Sequence, residues 1–178
     1  MVDVPLFIVT GVSGSGKTNI SKELRFIVED DFDAFDMDLI TEDYNKFHEM
    51  GRVWLKVALW NAERGRKSIL CGSFPDYQLT GHETFSEFAN VYYCYLTCSD
   101  EVRTKRLTAR GGAWTDQNIQ YANEWDYYLK SQAINACPIS VIDTSFITPD
   151  QAAEIIWLWV KTLSSVPMHT NYVTDPWS

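Results

Sequence analysis

The sequence is poor in positive charge. Its 15 lysines and arginines stand against 24 aspartates and glutamates in 178 residues, which gives a formal net charge of −9. Such a chain lacks the basic surface that drives non-specific nucleic-acid binding, so we do not expect a nucleic-acid partner. An average over the whole surface still permits one local anion-binding cleft. Composition therefore counts against a nucleic-acid scaffold and leaves a small-molecule site open.

Long hydrophobic runs and paired cysteine motifs are also missing. The longest apolar stretch near the end of the chain, 155–160, is far shorter than the ~20 residues that cross a bilayer. Residues 1–5 carry no basic stretch and no small-residue cleavage site, so we expect no secretory signal. No CxxC pair and no histidine at metal-ligand spacing accompany the cysteines Cys71, Cys94, Cys98 and Cys137. We expect reduced, buried thiols in a cytoplasmic protein without a membrane partner.

Short apolar runs alternate with helical patterns along the chain. An uninterrupted run at 6–9 predicts a strand buried on both faces. Similar short segments predict strands at 32–37, 68–71, 91–96 and 139–142. Helical patterns predict helices at 17–29, 41–64, 82–89, 99–109, 116–131 and 149–163. Such alternation is typical of a parallel sheet covered by helices on both faces. We predict a single three-layer α/β domain over 1–163, with a five-stranded parallel sheet, and a C-terminal tail over 164–178.

A glycine-rich loop lies between the first strand and the first helix. Residues 11–18, GVSGSGKT, match the pattern G-x-x-x-x-G-K-[ST] of a Walker A loop. Glycines allow successive backbone N–H groups to converge on an anion, and the helix that follows adds its positive dipole end. Lys17 reaches the β- and γ-phosphates of a nucleotide, and Thr18 supplies a hydroxyl ligand to Mg²⁺. We predict ATP and Mg²⁺ as cofactors, bound by Ser13, Gly14, Ser15, Gly16, Lys17 and Thr18.

With this loop, residues 6–160 resemble the P-loop kinase family, which includes nucleotide, gluconate, shikimate and polynucleotide 5′-kinases. The run Gly-Val-Ser-Gly-Ser-Gly-Lys is especially similar to the loop of gluconate kinases. The resemblance implies a P-loop NTPase fold in which the strand before the loop is central. It also implies transfer of the γ-phosphoryl group of ATP to a small acceptor.

An acidic pair, Asp36 and Asp38, closes the predicted second strand at the sheet edge where parallel sheets bind ligands. Strand alternation places both side chains on one side. Asp38-Leu39-Ile40 is similar to the family pattern of an aspartate and two apolar residues that faces the acceptor, so Asp38 is the predicted catalytic carboxylate. The alternatives are a solvated pair or a helix cap. The third strand lacks the acidic residue of a Walker B motif. We therefore expect Thr18, with Asp38 or Asp36, to bind Mg²⁺, and Asp76 is a weaker candidate for the missing acid.

Two departures from nucleotide kinases bear on the acceptor. Thr41 stands where those enzymes usually carry an arginine for the acceptor phosphate, and no arginine follows Pro75. A phosphorylated acceptor therefore loses two expected contacts. Candidate replacement cations are Arg52, Lys56, Arg64 and Arg66, on or just after the helix 41–64, which is the predicted acceptor-binding helix. The alternative is that this helix leaves these charges solvated.

Basic residues precede a glycine pair at Gly111-Gly112. Arg106 and Arg110 are four residues apart, on one helical face. The segment resembles the start of a kinase lid, which implies a short lid over about 110–116 and catalytic contacts from Arg106 and Arg110 to ATP, with Arg110 also in the nucleotide site. The alternative for these residues and for Arg103 is a solvated basic face.

Aromatic residues supply the remaining candidates. Candidates for an acceptor pocket are Trp54, Trp60, Trp114 and Trp125, with Asn123 and Tyr128 on the post-lid helix, whereas Trp157 and Trp159 are expected in the core. Asp143-Thr144-Ser145-Phe146, followed by Pro149-Asp150, resembles the family loop that packs against adenine, which implies contacts from backbone groups and from the surroundings of Phe146. No role follows from the pattern around any of the histidines.

The leading hypothesis is an ATP-dependent phosphotransferase acting on a small nucleoside-, nucleotide- or sugar-acid-like acceptor. The first alternative is a nucleotide-binding regulator or degenerate kinase that transfers nothing. A polynucleotide 5′-kinase is disfavoured by the charge of −9. The oligomeric state stays open.

Overall fold

Five parallel strands form one sheet in the order β2-β3-β1-β4-β5. The computed structural model describes residues 2–40, 47–73, 79, 81–135 and 140–165. The strands are β1 (Leu6–Thr10), β2 (Phe32–Asp36), β3 (Lys67–Cys71), β4 (Val91–Thr97) and β5 (Ser140–Asp143). Leu6 of β1 pairs with Ser68 on one side and with Val91 on the other. The strand before the glycine-rich loop is therefore central, which confirms the predicted sheet.

Five α-helices in the described ranges connect or follow these strands. They are α1 (Lys17–Ile27), α2 (Phe47–Ala62), α3 (Asp100–Arg110), α4 (Asp116–Asn135) and α5 (Pro149–Ser164). Gly65, at φ +73°, donates its amide to the carbonyl of Ala62 just beyond the end of α2, a conformation that suits glycine at a helix C-terminus. The predicted helix at 82–89 is wrong in type, since Glu83–Glu87 is a short 3₁₀ helix. The first residues of the predicted 41–64 helix, the region 74–78 with Asp76, and the tail beyond 165 lie outside the described residues.

The core fills both faces of the sheet because alternate residues of β1 point to opposite sides. Leu6 and Ile8 pack in a cluster with α2, whereas Phe7 and Val9 pack in a cluster with α1 and α5. Both tryptophans expected in the core are there: Trp157 contacts Phe32 edge-on at 4.8 Å between ring centroids, and Trp159 contacts Phe7 at 5.6 Å. This arrangement is the predicted three-layer α/β domain.

Strand polarity brings the candidate residues to one edge. Because all five strands are parallel, the loop after β1, the acidic pair after β2 and the segment after β5 leave the sheet at the same carboxyl edge. The thiols of Cys71, Cys94 and Cys98 are free and buried, and Cys137 lies outside the described residues. Within the described part of the chain, no helix has the length and apolar character needed to cross a membrane.

Candidate active site

The glycine-rich loop packs tightly against its neighbours. Gly11 has φ +153°, and a Cβ atom there would lie 2.3 Å from the backbone oxygen of Leu96 in β4. Gly14 has φ +85°, and a Cβ atom there would lie 2.9 Å from Cγ of Arg103 in α3. Only glycine satisfies both the backbone angles and the space at these positions. The loop is therefore held in shape by the sheet and by α3.

Lys17 lies inside this loop at the start of α1. Its side chain is buried, and Nζ donates hydrogen bonds to the carbonyl oxygens of Gly11 (2.7 Å) and Val12 (3.0 Å). Burial lowers the pKa of Lys17 to about 8, and the negative charge of Asp38 is the largest influence in the opposite direction. Thr18, the next residue, is half-buried in the first turn of α1. The ammonium group is thus held beside the loop amides that would cradle a phosphate.

The acidic pair divides into two roles. β2 ends at Asp36, whose carboxylate accepts a hydrogen bond from the backbone N–H of Asp38 at 3.1 Å and caps the 3₁₀ turn Met37–Leu39. The predicted strand 32–37 is one residue too long, because the chain leaves the strand at Met37, so strand alternation does not relate the two side chains. The capping alternative holds for Asp36.

Asp38 keeps an unsatisfied oxygen. Its Oδ1 is buried and has no hydrogen-bond partner among the described residues. Burial raises the pKa of this carboxyl, while Lys17 and a backbone hydrogen bond from Ser73 act in the opposite direction. A buried acceptor without a donor is unfavourable, so this atom fits a ligand hydroxyl or a metal-bound water.

The donors present suit Mg²⁺ and a nucleotide. No group of three or more metal-ligating side chains occurs in the described part of the chain. Mg²⁺ is usually held by one or two protein ligands together with substrate phosphates and water, and does not require a protein cage. The hydroxyl of Thr18 and the unpartnered oxygen of Asp38 meet that requirement, and Asp36 could act through water.

Arg106 contacts the loop directly. Its Nη1 donates to the carbonyl of Gly14 and to Oγ1 of Thr144, both at 3.0 Å, and Nη2 donates to the carbonyl of Thr144 at 2.8 Å. The alternative of a solvated face is therefore wrong for Arg106. Arg110, one turn later, is exposed and lines the same cavity as Arg106.

Arg103 has a different position from the one expected. It is fully buried, it forms an ion pair with Asp126, and it donates to the carbonyls of Cys98 (3.0 Å) and Ser13 (3.4 Å). It is neither solvated nor open to a ligand. Its guanidinium holds the glycine-rich loop through the hydrogen bond to the carbonyl of Ser13.

The first of two cavities at this edge has a volume of about 400 Å³. Its lining residues are Gly14, Gly16, Asn19, Ile20, Arg106, Ala109, Arg110, Thr144, Ile147, Thr148, Pro149 and Ala152. Phe146 is 93 % exposed and is not among them, so the loop after β5 contributes Thr144 and Ile147 in its place. We call this the nucleotide-side cavity.

Sequence reasoning singled out the segment that contains Thr144 but assigned its contribution to backbone groups and to the surroundings of Phe146. The side chain of Thr144 is buried, and its Oγ1 donates to the carbonyl of Ser15 at 2.9 Å and lies 3.1 Å from that of Thr97. Oγ1 also accepts a hydrogen bond from Arg106, so this side chain connects β4, the loop and α3.

The second cavity has a volume of about 500 Å³. Its lining residues are Thr10, Gly11, Val12, Ser13, Ser73, Ala113, Trp114, Asn118, Tyr121, Ala122, Trp125 and Leu129. We call this the acceptor-side cavity. Trp114 and Trp125 were candidates, whereas Asn118 and Tyr121 were missed. The three- and four-residue spacing of 118, 121, 122, 125 and 129 along α4 is the signal that would have found them.

The other aromatic candidates have structural positions. Trp54 is buried and donates to the carbonyl of Met37 at 3.0 Å, while Trp60 is 55 % exposed with Arg64 lying 3.8 Å above its ring. Tyr128 stacks on Trp125 at 5.2 Å without lining the cavity, and Asn123 does not line it either. Among the described residues, this cavity is lined by α4, by the glycine-rich loop and by residues 10, 73, 113 and 114, and no lining residue belongs to the helix predicted at 41–64.

The chain is similar to known proteins in structure only. No protein-family model matches it, and no curated protein matches its sequence. A shikimate kinase from Acinetobacter baumannii in complex with shikimate superposes with a TM-score of 0.60 at 15 % identity, covering 92 % of this chain and 97 % of that one. A tunicamycin resistance protein from Deinococcus radiodurans gives 0.62 at 15 % identity over 88 % and 95 % of the two chains. A sugar kinase from Janibacter sp. HTCC2649 gives 0.54 at 21 % identity over 94 % and 99 %. The chain has the fold of the P-loop kinases.

Proposed function

We propose that this chain is an ATP-dependent phosphotransferase that moves the γ-phosphoryl group of ATP to a hydroxyl of a small metabolite. The observation that carries the proposal is that two cavities share the glycine-rich loop. Gly14 and Gly16 line the nucleotide-side cavity, and residues 11–13 line the acceptor-side cavity. A loop that binds phosphates between two cavities suits the transfer of a phosphoryl group from one to the other.

The nucleotide-side cavity would hold ATP. Backbone amides of the loop and the positive end of α1 face the phosphates. Arg106, already bound to the loop, and Arg110 would stabilise the negative charge that develops on the transferred group. Bound Mg²⁺, with Thr18 and Asp38 or Asp36 as its protein ligands, would neutralise phosphate charge.

Asp38 would receive the proton of the acceptor. The acceptor oxygen attacks the γ-phosphorus, the bond from that phosphorus to the β,γ-bridging oxygen breaks, and ADP leaves. The hydroxyl proton passes to the carboxylate of Asp38, whose unpartnered Oδ1 can accept it. Burial raises the pKa of Asp38, which makes its carboxylate a stronger base than an exposed one. Lys17 would contact the γ-phosphoryl group during its transfer from ATP to the acceptor.

An ATP-binding protein without transfer activity is the second candidate. Its support is the end of β3, where Cys71-Gly72-Ser73 offers no carboxylate for a metal. A polynucleotide 5′-kinase has no comparable support, because no lysine or arginine is among the described residues that line the acceptor-side cavity.

ADP release measured with nucleosides, nucleotides, sugar acids and neutral cyclic alcohols as acceptors tests the proposal. We expect acceptor-stimulated turnover that falls at least ~100-fold in Asp38→Asn, with a much smaller effect on ATP affinity. Asp3→Asn, an exposed aspartate near the N-terminus, is the control and should match the wild type. Tight ATP binding with no stimulated turnover by any acceptor would support the second candidate instead.

A further inference from the structure

The acceptor-side cavity is aromatic and uncharged. Its outer wall carries the rings of Trp114, Tyr121 and Trp125, and its remaining apolar lining includes Val12 and Leu129. No charged side chain is among the described residues that line it. A ligand that enters this space therefore meets flat rings and a few neutral polar groups.

The arginines of this edge are committed elsewhere. Arg103 is paired with Asp126 and fully buried. Arg106 is bound to Gly14 and Thr144, and Arg110 lines the nucleotide-side cavity. None of the three lines the acceptor-side cavity.

The cations that could have replaced an acceptor-binding arginine are also placed elsewhere. The guanidinium of Arg66 is bound to the carboxylate of Asp33 at 2.8 Å, and that of Arg64 lies over Trp60. Arg52 and Lys56 are exposed on α2. In the part of the chain that the structure describes, an anionic acceptor would find no dedicated counter-charge.

Two opposite charges lie just behind the lining of the cavity. Ser73, one of the lining residues, forms a backbone hydrogen bond with Asp38. Nζ of Lys17 donates to the carbonyls of Gly11 and Val12, which also line the cavity. Lys17 is assigned to the phosphates of ATP, so it is not a counter-charge for the acceptor. A phosphate or carboxylate on the acceptor would lose its hydration in an apolar space, whereas a neutral acceptor would not carry this cost.

We propose that the acceptor is an uncharged ring compound that carries a free hydroxyl and a flat apolar face, and that this face lies against Trp114, Tyr121 and Trp125. The inference rests on the proposed function and narrows its substrate class. Two of the rings are held in place, since Trp125 stacks on Tyr128 at 5.2 Å with 19° between planes, and Trp114 packs on the cluster Leu107, Ile119 and Ala122. Stacking on a preorganised aromatic wall favours a flat ligand.

The reaction changes the charge of what occupies this cavity. The hydroxyl oxygen of the neutral acceptor gains the γ-phosphoryl group of ATP, ADP leaves, and the hydroxyl proton passes to Asp38. The product is a phosphate monoester, whose dianion has no counter-charge among the described lining residues. The same wall that binds the neutral acceptor therefore favours release of the charged product.

Matched pairs of neutral and anionic compounds provide the test. Uridine against uridine monophosphate is the nucleoside arm, and methyl shikimate against shikimate is the non-nucleoside arm. Binding is measured by tryptophan fluorescence and calorimetry in the presence of a non-hydrolysable ATP analogue, and transfer is measured separately by ADP release. We expect the neutral member of at least one pair to bind about tenfold or more tightly than its anionic partner.

Variants of the wall locate the binding. Tyr121→Ala and Trp125→Leu should each weaken binding of the neutral compound about tenfold, because stacking on an aromatic ring is lost. Trp60→Leu, which alters a tryptophan that is 55 % exposed and outside the cavity, is the control and should bind as the wild type does. Tyr121 is 68 % exposed, so its variant tests the wall without disturbing the core.

The outcomes separate this inference from the proposed function. Neutral binding that depends on Tyr121 and Trp125 but gives no ADP release supports the inference and contradicts the transferase. Turnover with the anionic member of a pair that equals or exceeds the neutral one supports the transferase and overturns the inference. The inference also fails if no compound in either arm binds.

Discussion

The guanidinium of Arg103 on α3 and the carboxylate of Asp126 on α4 form a buried ion pair, with Nη2 and Oδ2 2.5 Å apart. The same carboxylate accepts hydrogen bonds from the hydroxyls of Tyr95 and Thr97 in β4, each at 2.8 Å. Arg103 in turn donates to the carbonyl of Ser13 in the glycine-rich loop. The network joins α4, which carries Tyr121 and Trp125, to the sheet and to the loop.

Asp126→Asn is expected to destabilise the fold by about 3 kcal/mol, because it leaves Arg103 charged and buried without a counter-ion. Urea unfolding monitored by circular dichroism measures the change in the free energy of unfolding. Glu124→Gln, an exposed residue on the same helix, is the control and should stay within about 0.5 kcal/mol of the wild type. Wild-type stability in Asp126→Asn would show that the pair is dispensable.

Nucleotide affinity is expected to fall as pH rises above about 8, the lowered pKa of buried Lys17 in the free protein. Bound phosphates favour the charged ammonium, so the pKa of Lys17 is higher in the complex and binding takes up a proton. Below about pH 8 the affinity should be constant with respect to this group. Above it, affinity should decrease by up to about tenfold per pH unit until the pKa of the complex is reached.

Lys17→Met is the control for that profile and should bind nucleotide weakly with no such slope, measured by calorimetry from pH 7 to 10. The pH dependence of folding stability, measured without nucleotide, independently checks that the pKa of Lys17 is lowered. Between about 8 and 10.5 the unfolded chain holds the Lys17 proton more often than the folded one, so stability from this group rises with pH there. A Lys17→Met variant that keeps the full pH dependence of both properties would contradict the assignment.

Thr144→Val should weaken ATP binding about tenfold while leaving the acceptor KM unchanged. Its hydroxyl connects Arg106 to the carbonyls of Ser15 and Thr97, and valine keeps the shape but loses those bonds. Nucleotide titration and steady-state kinetics give the two quantities. Thr162→Val, an exposed threonine on α5 with a hydroxyl bonded only to its own helix, is the matched control. A larger change in the acceptor KM than in ATP affinity would contradict the assignment of Thr144 to the nucleotide-side cavity.

The fold was predictable because it depends on local patterns. The apolar run before Gly11 and the helical spacing after Lys17 are visible in the sequence, and their alternation along the chain leads to a parallel sheet. The prediction was wrong for the type of the helix at Glu83–Glu87. This 3₁₀ helix is too short for its apolar spacing to distinguish it from an α-helix.

The site was predictable only in part. Lys17, Thr18 and Asp38 follow from motif and strand end, because their positions depend on neighbours close in sequence. The roles of Asp36 and Arg103 did not follow from the sequence. The role of Asp36 depends on where β2 ends, and the role of Arg103 depends on its ion pair with Asp126, 23 positions away in the sequence.

The sequence by itself thus determined the sheet, the glycine-rich loop and the acidic residues after the second strand, since hydrophobic period and backbone geometry are local properties. Tertiary structure decided which face of α4 meets the loop, which arginines line a cavity, and that the second cavity is aromatic and neutral in its described lining. Those features arise where helices far apart in sequence pack against one loop. The net charge of −9 is no guide to them, because burial and pairing set the charge of each cavity separately.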